Sequence, residues 1–180
     1  MRIIKGRFGR RLIHPPAGLA VRPSTDLGKE SLFNILENRL DFEQTHALDL
    51  FSGTGNISFE LVSRGCPSVT SIEKDMRCIR FISKTAKEFH MPELKLIKAD
   101  VFRFLANHRQ AYELIFADPP FEMPQSDYEH MIQIIRERGL LAEGGTLVIE
   151  HSKRIELTHL PWFVELRKYG KVRFSFFTKD

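Results

Sequence analysis

The chain has 180 residues, 42% of them hydrophobic, with a formal charge of +4, which suits one ordinary globular domain able to bury a full core. No apolar stretch approaches the roughly 18 residues of a membrane span, and the segment Met1 to Arg11 lacks the apolar run of a secretory signal, so a cytoplasmic protein, monomeric by default, is expected. The charge is uneven: Met1 to Thr25 carries six Lys/Arg and no acid, Leu166 to Lys179 five more and no acid, and subtracting those eleven from +4 leaves about −7 for the remainder.

The basic start consists of Arg2, Lys5, Arg7, Arg10, Arg11 and Arg22. The alternation Arg2-Ile3-Ile4-Lys5 and the pair Pro15-Pro16 predict a hairpin over Arg2 to Ile13 rather than an amphipathic presequence helix. Residues 1–23 are therefore read as a basic extension and residues 24–180 as the main domain. Segregated positive charge that converges on one face is the footprint of a polyanion partner; the plain alternative is a pair of solvated termini. Ser24-Thr25-Asp26 can cap a helix running to about Asn38, with Leu32, Phe33, Ile35 and Leu36 as its apolar face. Gly28 near its start costs roughly 1 kcal/mol against Ala.

From residue 46 onward, short apolar strands alternate with helical patterns, which predicts an α/β domain with a mostly parallel sheet. The strands expected are His46 to Phe51, Ser68 to Glu73, Leu94 to Lys98, Leu114 to Asp118 and Thr146 to Glu150. Between them lie helices at about Ile57 to Ser63, Asp75 to Phe89, Val101 to Asn107 and Gln125 to Arg138. Trp162 to Lys168 and Val172 to Thr178 then close the sheet as an antiparallel pair. Lys171 and Arg173 add charge there, while Phe174, Phe176 and Phe177 are read as a buried strand.

Three strand ends carry the chemistry. Leu48-Asp49-Leu50-Phe51-Ser52-Gly53-Thr54-Gly55 is a strand entering a glycine loop, where the backbone passes close to a small molecule at a helix N-terminus. Eighteen residues after Gly55, Glu73 ends the next strand, where a carboxylate can accept from both hydroxyls of a ribose. Ser58 occupies the position of the third glycine in a dinucleotide loop, and the charge of Asp49 would repel pyrophosphate. That charge suits instead the cationic amino-acid end of S-adenosylmethionine, although a turn-capping aspartate explains it too. Asp100 can accept from an adenine amine while the Val101 N–H meets the ring, and it can equally cap a helix.

The third strand end is Asp118-Pro119-Pro120-Phe121. Two prolines remove two N–H donors and fix φ, so the carbonyls of Asp118 and Pro119 become rigid acceptors beside the flat face of Phe121. This suits the exocyclic amine of a base lifted from its stack; a plain proline turn with a core Phe is the alternative. Cys66 and Cys78 lie outside any C-x-x-C spacing and are read as reduced structural thiols, and none of the seven histidines sits at metal-ligand spacing.

Taken in order, Leu48 to Gly55, Ser71-Ile72-Glu73, Ala99-Asp100 and Asp118 to Phe121 resemble the Rossmann-like class I S-adenosylmethionine-dependent methyltransferases. More narrowly, Met1-Arg2-Ile3-Ile4-Lys5-Gly6 and Arg22-Pro23-Ser24-Thr25-Asp26 through Glu30-Ser31-Leu32-Phe33-Asn34 resemble the bacterial 16S rRNA guanine-N2 methyltransferase D family. The chain departs from that family's Arg-Val-Arg after Asp26, where it has Leu27-Gly28-Lys29. The resemblance implies a seven-stranded sheet, S-adenosylmethionine as cofactor, and methylation of N2 of the guanine conventionally numbered 966, with Asp118 to Phe121 at the reacting end. The expected partner is 16S rRNA, held by the basic ends within a 30S particle. Adenine N6 as acceptor, a non-catalytic RNA-binding assembly protein and an NAD-linked oxidoreductase are the rival readings.

Overall fold

The structure, a computed structural model, describes residues 1–19 and 26–179. The expected cap at Ser24-Thr25 and the predicted contact Arg22 lie outside the described residues. In chain order the elements are α1 (Asp26–Glu37), a short 3-10 turn (Phe42–Gln44), β1 (His46–Leu50), α2 (Asn56–Ser63), β2 (Ser68–Glu73), α3 (Met76–Glu88) and β3 (Leu94–Lys98). There follow α4 (Val101–Asn107), β4 (Tyr112–Ala117), α5 (Gln125–Glu137), β5 (Leu141–His151), β6 (Phe163–Tyr169) and β7 (Val172–Thr178).

The strands form one seven-stranded sheet in the order β3-β2-β1-β4-β5-β7-β6. β1 to β5 are parallel, and β7 runs antiparallel to both β5 and β6. The α/β prediction and its antiparallel closing pair are therefore borne out. Central strands read as continuous apolar runs because helices cover both faces: β1 is buried from Ala47 to Leu50 and β4 from Leu114 to Ala117. One apolar cluster gathers Leu32, Phe33, Phe59, Ile82 and Phe116 on one face; another gathers Leu50, Ile115, Ile132, Ile135 and Ile149 on the other.

The element boundaries differ from expectation where the backbone turns early. β1 stops at Leu50 because Phe51 adopts φ 61, and β6 starts at Phe163 because Trp162 adopts φ 70. β5 begins at Leu141 rather than Thr146, running through Gly144-Gly145 by way of a register shift against β4. The N-terminal segment is a correction of degree: its hairpin contains a single antiparallel bridge, Arg2 with Leu12, and no regular strand pair.

That segment lies on the first face of the sheet, where Ile3, Phe8 and Ile13 join the cluster of α1 and α2. Gly6 has φ +86, and a Cβ there would come within 1.8 Å of the Ser63 carbonyl oxygen, so only glycine permits this approach to α2. Beside it the Arg7 N–H donates to that carbonyl at 2.7 Å and the Phe8 N–H to Ser63 Oγ at 2.9 Å.

Candidate active site

The strand order reverses between β1 and β4, so their carboxyl ends open a crevice at the switch point of the sheet. A cleft of about 950 Å³ occupies that position. It is lined by the predicted residues Asp49, Phe51, Gly53, Glu73, Asp100, Val101, Asp118, Pro119, Pro120, Phe121 and Lys171, so the fold unites residues that the chain scatters over more than a hundred positions.

At the floor, Asp49 is 1% exposed and accepts from Ser58 Oγ at 2.5 Å, while Ser58 Oγ lies 2.5 Å from Ser71 Oγ. Ser58 thus replaces a loop glycine with a hydroxyl that anchors the acid. Burial pushes the Asp49 carboxyl up to about 7; the Ser58 hydroxyl opposes this, and the nearby charges of Asp118 and Glu73 add to it. Gly55 heads α2 with φ 80 and does not line the cleft. A Cβ there would lie 3.0 Å from the Phe59 ring and 3.1 Å from Ile82, so Gly55 sets how closely α2 and α3 approach the loop.

At one end of the cleft, Glu73 accepts from the Gly53 N–H at 2.8 Å through Oε2 and from the N–H groups of Lys74 and Asp75 at 2.7 and 2.8 Å through Oε1. One carboxylate thereby ties the loop after β1 to the loop after β2. Asp100 lines the cleft and also caps α4, accepting from the Arg103 N–H at 3.1 Å, so the two readings of this residue coexist.

At the other end, Pro119 is buried, and Pro120 closes the turn by accepting the Met123 N–H at 2.9 Å. Phe121 is 46% exposed, with the Arg154 guanidinium 4.5 Å from its ring centroid. Arg154 was not singled out from the sequence, nor were Glu150, His151 and Ser152, which line the cleft from the end of β5. The register pairing Ala117 with Ile149 puts Glu150 beside Asp118. The signal that could have found Glu150 is its place as an acid at the carboxyl end of a strand, like Asp49 and Glu73.

His151 is a brace rather than a base. Burial lowers its pKa, its Nδ1 lies 2.9 Å from the Ser152 carbonyl and its Nε2 lies 2.8 Å from Ser175 Oγ. A carbonyl can only accept, so Nδ1 carries the proton and Nε2 accepts from the serine.

The predicted RNA contacts divide. Lys171 is exposed at the mouth of the cleft, whereas Arg173, paired in register with His151, does not line it. Arg2 and Arg10 are exposed, and Lys5 is bound to Glu37 at 2.8 Å. Arg7 reaches Glu93 at 3.0 Å, and the Arg11 guanidinium lies 5.2 Å from the Phe89 ring centroid. Cys66 and Cys78 are buried, and burial pushes their thiols up to about 12 and about 11. Among the described residues, no group of three or more His, Cys, Asp and Glu could hold a metal ion.

A parallel sheet with a reversed last strand, a glycine loop after its first strand and an Asp-Pro-Pro-Phe at the end of its fourth define the class I methyltransferase fold. The family model described as "Conserved hypothetical protein 95" matches residues 1–178, and the chain belongs to that family. The chain is 30% identical to a "Putative rRNA methyltransferase YlbH" of Bacillus subtilis, over 87% of this chain and 85% of that protein. It is 27% identical to the "Ribosomal RNA small subunit methyltransferase D" of Escherichia coli, over 100% of this chain and 90% of the other, so the family resemblance read in the sequence holds. A solved structure of a "Putative methyltransferase yhhF from Escherichia coli" has the same fold, with a TM-score of 0.87, 24% identity and coverage of 100% of this chain and 98% of that one.

Proposed function

We propose that the protein transfers a methyl group from S-adenosylmethionine to the exocyclic N2 amine of a guanine in 16S rRNA, acting on a 30S subunit or an assembly intermediate. The observation that carries this reading is that the Asp118-to-Phe121 turn shares one cleft with the buried acid Asp49 and with Glu73. The related proteins named as rRNA methyltransferases supply the nucleic acid.

The cleft fits the cofactor. Its 950 Å³ lies within the range of small-molecule sites, and a buried carboxylate that resists ionisation suits a cationic ligand that restores it. Glu73 would hold the ribose hydroxyls, Asp100 and the Val101 N–H the adenine, Phe51 and Gly53 the loop against the nucleoside, and Asp49 the amino-acid end. When bound, S-adenosylmethionine supplies the methyl group on its sulfonium.

The guanine amine is conjugated with its ring and is a weak nucleophile. Asp118 and the Pro119 carbonyl accept its two hydrogens and turn its lone pair toward the methyl, Pro120 keeps those acceptors rigid, and Phe121 stacks on the flipped base. Alignment rather than base catalysis supplies most of the acceleration, and the proton leaves to Asp118 or to water. Residues 1–23 serve as an RNA-binding extension to the domain over 24–180, with Arg2, Lys5, Arg7, Arg10, Arg11 and Arg22 on one side and Lys171 and Arg173 on the other.

The test is transfer of labelled methyl to 30S particles and to total RNA from cells lacking the protein, followed by nucleoside analysis. N2-methylguanosine in the small-subunit RNA is expected. Label in N6-methyladenosine would overturn the acceptor, and no label despite cofactor binding would overturn the reaction.

A further inference from the structure

We infer that α3 and the N-terminal segment together form a second RNA-binding groove, separate from the cleft and built on α3 cations not yet assigned to RNA. It would take the ribose-phosphate backbone of single-stranded RNA next to the modified base. This rests on the reading of the protein as an rRNA-modifying enzyme.

Arg77, Arg80, Lys84 and Lys87 are all exposed and recur at spacings of three, four and three residues, so they form one narrow cationic stripe along α3. The opposite face of the helix is buried through Cys78, Ile82 and Thr85, which fixes the direction of the stripe outward. Most of the stripe faces a groove of about 530 Å³ whose far wall is Leu12, His14 and Pro16. Leu12 is 61% exposed there, and Phe81 and Phe89 add aromatic surface to the same groove.

A rim of three cations and one acid, Glu88, over a floor of apolar and half-buried aromatic side chains can track phosphates while offering apolar surface to the bases. Two of the cations have acidic neighbours, Arg77 with Asp75 at 2.7 Å and Lys84 with Glu88 at 3.7 Å, but these are exposed pairs that a phosphate can displace at small cost. Position supports the same partner. α3 follows Glu73-Lys74, both at the rim of the cleft, so the groove opens beside the Glu73 end of the cleft and RNA held there would lie against the same side of the molecule.

The test measures affinity for 16S rRNA as a function of salt for the wild type, for Arg80→Ala/Lys84→Ala in the groove, and for Lys95→Ala/Lys98→Ala on the edge strand β3. All four positions are exposed, and thermal melting and S-adenosylmethionine binding verify that each variant folds. Loss of two phosphate contacts should lower the slope of log K against log salt by about 1.4 to 1.8 in the groove variant only. An unchanged slope in the groove variant, or an equal drop in both variants, would show bulk charge and overturn the groove. Loss of binding to 30S particles with unchanged binding to 16S rRNA would identify a ribosomal protein as the partner and overturn the RNA assignment. If the wild type methylates an acceptor other than RNA and does not bind rRNA, the functional reading itself fails, a result that nucleoside analysis tells apart from failure of the groove alone.

Discussion

At the scale of single residues, two aspartates in one cleft have opposite duties. In the proposed reaction Asp118 touches the reacting amine, so Asp118→Ala should lower kcat by about a hundredfold or more, as removal of one positioned polar group does elsewhere, while the cofactor Kd changes by less than about twofold. Equilibrium binding and single-turnover transfer separate the two effects, and a collapse of cofactor affinity in a folded variant would move Asp118 out of the acceptor site. Asp49 is the reverse case. Folding raises its pKa from 3.8 to about 7, so the unfolded chain loses this proton first, and stability falls as pH rises from about 4 to about 7. Asp49→Asn should therefore melt at a higher temperature than the wild type at pH 8, with the difference closing toward pH 4. The same substitution should weaken cofactor binding by about ten- to hundredfold at pH 8, the worth of one charge-assisted hydrogen bond. In the wild type, affinity should rise with pH through about 7 and binding below that pH should release a proton, which calorimetry in buffers of different ionisation enthalpy would detect.

At the scale of elements, what was legible in the sequence is what is local. The Gly53 to Gly55 loop, Glu73 at the end of β2 and the proline turn after β4 each announce themselves within a few residues, because strand, turn and cap chemistry act at short range. Glu150 carries only the weaker local signal of an acid at a strand end and His151 carries none, since the register of β5 against β4 and β7 is what brings both to the cleft. Lys29 is a further case. In the sequence it stands only as part of the Leu27-Gly28-Lys29 departure from the family pattern, yet it is 2% exposed, and its Nζ donates to the Arg2 carbonyl and to Asn56 Oδ1 and lies 3.3 Å from Glu60. Glu60, itself fully buried, accepts from the N–H groups of Ile4 and Lys5 at 2.7 and 3.1 Å and from Arg64 Nε at 2.8 Å. This carboxylate joins the N-terminal segment to α1 and α2, and α2 begins at the glycine loop. Glu60→Ala would leave the buried Lys29 charge and two part-buried backbone donors without it, a loss of about 3–5 kcal/mol. Urea denaturation measures that loss, and Glu60→Gln, which keeps an acceptor, should recover part of it.

At the scale of the whole molecule, the eleven terminal cations are not equivalent, because internal acids have already engaged some of them. Lys5 is bound to Glu37, whose own carboxyl is held low by the Lys5 hydrogen bond and by Arg64, and Arg7 is bound to Glu93. Arg10 is exposed, and Arg11 lies over the rings of Phe8 and Phe89 and forms no ion pair among the described residues. Counterion release counts only charge that is available to neutralise phosphate, so the salt dependence of rRNA binding reports which cations take part. Replacing Arg7, Arg10 and Arg11 together with Ala should lower the slope of log K against log salt by about 2 to 3, and Arg10→Ala alone by close to 1. Arg7→Ala alone should lower it by less than Arg10→Ala, since Arg7 must first leave Glu93, and Glu93→Gln should raise the wild-type affinity by freeing it. Equal slopes for the wild type and the triple variant would reduce these residues to ordinary surface charge, and RNA binding would then have to lie along α3 and the cleft mouth at Lys171.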